Sequence, residues 1–150
     1  MGILDKLFGR REQRTTPIDE ARTLIERFTT ATLAGVDPED IGRYPTKQRQ
    51  AMAFHFGAIQ HLADEFALDE TQTLGVFVMF LNRYFKLPVS ETGSISQLLE
   101  GFQSNRRERE YLEAGLEAFR RWHLQNDRRA PLRLGEMLTE SEKQEVKRES

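Results

Sequence analysis

Leu74-Gly75-Val76-Phe77-Val78-Met79-Phe80-Leu81 is the densest apolar run in the chain, and its reading decides the fold. It stops at Asn82 and Arg83, far short of the ~20 apolar residues that a membrane-spanning helix needs. A short apolar run does not declare its period and fits a buried strand as well as a buried helix. The flanks resolve this. Asp69 followed by Gln72 has the spacing of a capping box, and Pro88 closes the segment, so the run reads as a helix over about 70–87. Leu74, Phe77, Val78, Leu81 and Phe85 share one face, with Val76, Phe80 and Tyr84 alongside. Gly75 and Met79 sit on a narrower side with Gln72, Asn82, Arg83 and Lys86, where a close neighbour or a partner would fit.

Outward from this run the pattern stays helical. Thr16-Pro17 with Asp19 and Glu20 is a start signal for a helix carrying Ile18, Ala21, Leu24, Ile25, Phe28 and Ala31, ended by Gly35. After a connector with Pro38 and Pro45, Thr46 opens a second helix to about Ala67. Its expected core stripe is Met52, His55, Phe56, Ile59, Leu62, Ala63 and Phe66, and Gln50, Ala53, Gly57, Gln60, His61 and Asp64 face away. Ser94 with Gln97 starts a short helix carrying Ile95, Leu98, Leu99 and Phe102, and Asn105 with Glu108 starts the last long one, whose inner face reads Leu112, Gly115, Leu116, Phe119 and His123. In that last helix Ala114, Gly115 and Ala118 are small enough to let a neighbouring helix approach closely. The expected fold class is therefore all-α: a single compact bundle of about four to five main helices around the central apolar helix. An N-terminal amphipathic segment (1–15) precedes the helical domain (16–128). A charged C-terminal extension (129–150), expected to be at least partly disordered, follows it: Leu132, Leu134, Met137 and Leu138 fit one more amphipathic turn, docked or free, and the tail from Thr139 is expected to be mobile because its apolar content is low.

Composition narrows the function classes. Apolar residues make up 38% and charged residues 31% of the chain, so the surface is heavily charged and ten phenylalanines must supply much of the core. A formal net charge of −2 argues against a dedicated nucleic-acid binder, whose domain is usually basic. With no cysteine, disulfides, thiolate metal sites and a cysteine nucleophile are excluded, which suits a reducing cytoplasm. No leader pattern opens the chain, since Asp5 and Lys6 interrupt the early apolar residues.

That opening segment places Ile3, Leu4, Leu7 and Phe8 at helical spacing, followed by Arg10, Arg11 and Arg14. It resembles the short membrane-surface anchors of some peripheral bacterial proteins, which implies apolar side chains inserted at the headgroup boundary and arginines near anionic lipid. The plainer reading is a terminal helix that packs on its own domain or in a partner's groove.

Chemical motifs are sparse. His55 falls on an apolar stripe, where it is a general-base candidate or, more simply, a core histidine with its hydrogen bonds satisfied. His61 has Asp64 and Glu65 within reach along one helical side, a partial metal-ligand pattern that lacks further ligands; as a solvated polar pair it needs none. His123 with Asp127 repeats that weakness. No Gly-x-Ser-x-Gly elbow and no phosphate-binding loop spacing is present. Arg106 with Glu110, Arg109 with Glu113 and Glu117 with Arg121 read as a salt-bridged solvent face. No catalytic, cofactor or metal residue is assigned.

The expected function is a non-enzymatic, cytoplasmic module that binds a protein partner or itself, with no nucleic acid. Its interaction candidates are Ile3, Leu4, Leu7, Phe8, Gly75, Met79, Tyr111 and Trp122, because aromatic and apolar anchors mark interfaces. One alternative is an adaptor held weakly at the inner membrane face through the N-terminal segment. Another is a small metal-dependent or ligand-binding enzyme using His55 or His61.

Overall fold

The computed structural model describes residues 16–85 and 92–149. Seven α-helices make up nearly all of them, and no strand occurs among the described residues. They are α1 (Pro17–Leu33), α2 (Pro38–Arg43), α3 (Pro45–Glu65), α4 (Glu70–Tyr84), α5 (Thr92–Ser104), α6 (Arg106–Leu124) and α7 (Arg133–Glu149), with a 3-10 turn at Ala130–Leu132 before α7. The expected all-α architecture is what the chain adopts. Ile3, Leu4, Leu7 and Phe8 lie outside the described residues.

The start signals work as their chemistry requires. Thr16 Oγ1 accepts from the Asp19 amide at 3.2 Å, and Asp19 accepts in return from the Thr16 amide at 3.4 Å. At α4, Asp69 accepts from the Gln72 amide at 2.7 Å and Gln72 from the Asp69 amide at 2.9 Å. Each such cap contributes about 1 kcal/mol by satisfying amides that the helix leaves open. At α6 only half of the box forms. Asn105 accepts from the Glu108 amide at 3.0 Å, whereas the Glu108 carboxylate turns to Arg49, which it grips through two bonds of 2.8 and 3.0 Å. Glu108 thereby joins the starts of α3 and α6 instead of closing its own cap.

The hub of the fold is α3 rather than α4. Every residue from Gln50 to Ile59 is buried, including Gln50, Ala53 and Gly57, which the periodicity assigns to an outward side. That side is covered by α6. Arg49 with Glu108 at one end and Glu65 with His123 at the other show that the two helices run in the same direction. They meet through glycines. A Cβ at Gly57 would overlap the Leu112 carbonyl, and one at Gly115 would overlap the Phe54 carbonyl. The small residues of the last helix thus perform the close approach expected of them.

The apolar run occupies one flank of this hub. Val76, Phe77, Phe80 and Leu81 are buried, and Phe77 reaches Phe56 on α3 and Phe102 on α5, with ring centroids 4.7 and 6.2 Å apart. The helix ends at Tyr84, short of the expected 87. On the other flank Phe28 of α1 meets Phe54, Phe119 and Trp122, with centroids 5.2–6.2 Å apart.

In the C-terminal extension the docked alternative is the one adopted by Leu134 and Leu138. Both belong to the core, Pro131 before them is buried as well, and within the stretch expected to be mobile Ser141 still reaches the Tyr111 hydroxyl. Gly135 allows the docking: a Cβ there would overlap the Gly35 carbonyl beyond the end of α1.

Candidate functional site

His55 proves to be a core residue. It is fully buried, its Nδ1–H donates to the Ala51 carbonyl at 2.8 Å, and its Nε2 lies 2.6 Å from the Thr32 hydroxyl. Since a carbonyl can only accept, Nδ1 carries the proton of the neutral ring and Nε2 accepts from Thr32. Burial lowers its pKa to about 4, against the opposing effect of the Ala51 hydrogen bond. Phe28, Phe54 and Phe80 pack around the ring. It borders none of the clefts described below.

His61 and His123 converge on one acid from different helices. Glu65, in the last turn of α3, lies 2.9 Å from His123 Nδ1 on α6 and 3.7 Å from His61 Nδ1. His61 Nδ1 itself is buried without a hydrogen-bond partner. Asp127, the expected companion of His123, pairs instead with Arg121 at 3.5 Å. Among the described residues no group of three or more histidine and acid side chains is arranged to hold a metal ion.

The four described interaction candidates separate into two kinds. Tyr111 is only 1% exposed, and its hydroxyl lies 3.1 Å from Ser141 of α7, in the stretch expected to be mobile. It is a core residue, and burial pushes its phenol above the ordinary range. Trp122 is half-buried, its ring packed against Phe28 and Phe119 with centroids 5.4 and 5.6 Å away. Met79, by contrast, is 40% exposed, and a Cβ on Gly75 would meet nothing within 4 Å. The open side of α4 expected at these two residues is therefore present. It borders a small cleft of about 220 Å³ with charged walls, Arg22, Glu26 and Arg83 among them.

A larger concavity lies across α4, between α3, α5 and α6. It is a groove of about 700 Å³ with Phe56, Leu68, Leu74, Leu99 and Leu116 forming its apolar walls. Its ionisable lining consists of Asp64, Glu70 and His61, so any fixed charge along it is negative apart from the histidine. The sequence assigns Leu74, Leu99 and Leu116 to helix stripes and hence to the core, whereas in the fold all three remain partly uncovered. The signal that could have found them is the pairing of an apolar stripe with Asp64, Glu70 and Thr73 on adjoining turns, across the tight corner between α3 and α4. That corner forces Ala67 to a φ of 53°.

Among the described residues no helix is long and apolar enough to cross a membrane. No family model, no curated protein and no solved structure matches this chain.

Proposed function

We propose that this chain is a helical docking module that receives an amphipathic, basic-flanked helix of a protein partner in the groove between α3, α4, α5 and α6. The observation that carries the reading is the groove's chemistry: leucine and phenylalanine walls with Asp64 and Glu70 at the edge. An amphipathic helix laid into such a groove buries its apolar stripe, and its lysines or arginines meet the acidic edge. A groove of this kind gives affinity through a few apolar anchors and orientation through the charges.

Affinity capture from cells tests it with the full chain and two variants. The chain should recover a protein partner that Asp64→Lys/Glu70→Lys loses and Met79→Glu retains. Both variants alter exposed side chains, so far-ultraviolet circular dichroism should be unchanged. A partner retained by the groove variant and lost by Met79→Glu would move the interface to the Gly75–Met79 side of α4 and refute the reading.

A further inference from the structure

We infer that the groove's resident occupant is the chain's own N-terminal segment, with Ile3, Leu4, Leu7 and Phe8 set against the groove's leucines and Arg10, Arg11 and Arg14 toward its acidic edge. The inference rests on the docking reading of the groove and adds the regulation of that site: a partner helix would have to displace the segment.

Complementarity is the first argument. The segment joins an apolar stripe to three arginines, and the groove joins apolar walls to Asp64 and Glu70. The small cleft beside Met79 carries Arg22 and Arg83 against the single acid Glu26, so its net charge opposes the same arginines.

Reach is the second. Arg83 pairs with Glu26 at 4.0 Å, and Arg22 shares a cleft with Met79, so α1 and α4 run side by side in one direction. This register sets the start of α1 near the first turns of α4, where Glu70, Thr73 and Leu74 form one wall of the groove. The groove opens on the far side of α4, about 10–12 Å across a helix with its side chains. Gly9 to Thr15 link the apolar residues to the cap of α1, and seven extended residues span up to about 23–25 Å. Seven residues are therefore long enough for the linker to pass around α4.

Tethering is the third. A single short amphipathic segment binds weakly when free, but a short linker holds it at an effective concentration on the order of millimolar. Weak contacts then suffice to keep the groove occupied within one molecule.

The chain has no cysteine, so a single nitroxide label can be placed on a Gly9→Cys full-length chain. The label should abolish the methyl NMR signals of Leu68, Leu99 and Leu116, and adding Leu7→Asp/Phe8→Asp should restore them. Mixing labelled, isotope-free chain with unlabelled, isotope-enriched chain should leave those signals intact. Loss that survives Leu7→Asp/Phe8→Asp, or that appears in the mixed sample, overturns the inference. So does insertion of the label into phosphatidylserine vesicles with the groove signals untouched in their absence. The capture experiment with Asp64→Lys/Glu70→Lys alters nothing in residues 1–14, so failure of the docking reading is scored separately.

Discussion

Replacing Gly115 with alanine and, separately, Gly75 with alanine should move stability in opposite directions, although both glycines are interior to helices. In an unobstructed helix the change stabilises by about 0.5–1 kcal/mol, because glycine loses more backbone freedom on folding than alanine does. At Gly75 nothing lies within 4 Å of the new Cβ, so that gain should appear almost whole. At Gly115 the new Cβ meets the carbonyl oxygen, carbonyl carbon and Cα of Phe54. All three atoms belong to the backbone of α3 and cannot rotate aside, so α6 must move as a unit from the most deeply buried helix of the fold. Overpacking of this kind costs about 1–3 kcal/mol and occasionally more. Rigid backbone on both sides puts Gly115→Ala at the upper end, for a net loss of about 2 kcal/mol. In a chain of this length each kcal/mol shifts Tm by about 2–4 °C. Gly115→Ala should therefore lower Tm by about 4–8 °C, and Gly75→Ala should raise it by about 2 °C. Urea and thermal unfolding followed by circular dichroism read both. Equal shifts of the same sign would refute the glycine contact between α3 and α6.

Acid should destabilise the fold through His55. Its pKa falls from 6.5 to about 4 on folding, so between those values the unfolded chain binds the extra proton, and stability drops as pH falls through this window. The full window corresponds to roughly 3 kcal/mol by linkage. Urea unfolding at neutral pH and near pH 4 should show that loss in the native chain and a smaller one in His55→Leu; identical slopes would remove His55 as the cause. Leu134→Ala should cost about 2–5 kcal/mol, as for any leucine with no exposed surface, while a mobile tail would tolerate it without effect.

Much of the fold was legible because local chemistry dictates it. Thr16, Asp69 and Asn105 cap through their own side-chain oxygens and need no tertiary help, and the small face around Gly115 advertises a close helix contact. The reading of α3 failed for a physical reason. Ala53, Gly57 and Gln50 carry little apolar surface, so they look like a solvent face, yet small residues are what the centre of a tightly packed helix pair requires. Placing the hub in the richest apolar run followed from that. The placement of Leu134 and Leu138 stayed open between docked and free, because they are few anchors among charges. Their docking also took Tyr111 from the surface into the core.

The groove was less legible still. Leu74, Leu99 and Leu116 each sit on a proper apolar stripe, and whether a stripe is covered depends on where other helices lie. Only Gly75 and Met79 were readable as an open side, because they interrupt the stripe of their own helix.

The docking claim meets its most direct test in a methyl NMR titration of the isotope-labelled full chain with an amphipathic leucine–lysine helical peptide. The chain would carry Leu7→Asp/Phe8→Asp to keep its own segment from competing. Saturable shifts at Leu68, Leu74, Leu99 and Leu116 that vanish in Asp64→Lys/Glu70→Lys are the expected result. Shifts centred on Met79, or equal binding of a leucine–glutamate peptide, would contradict it.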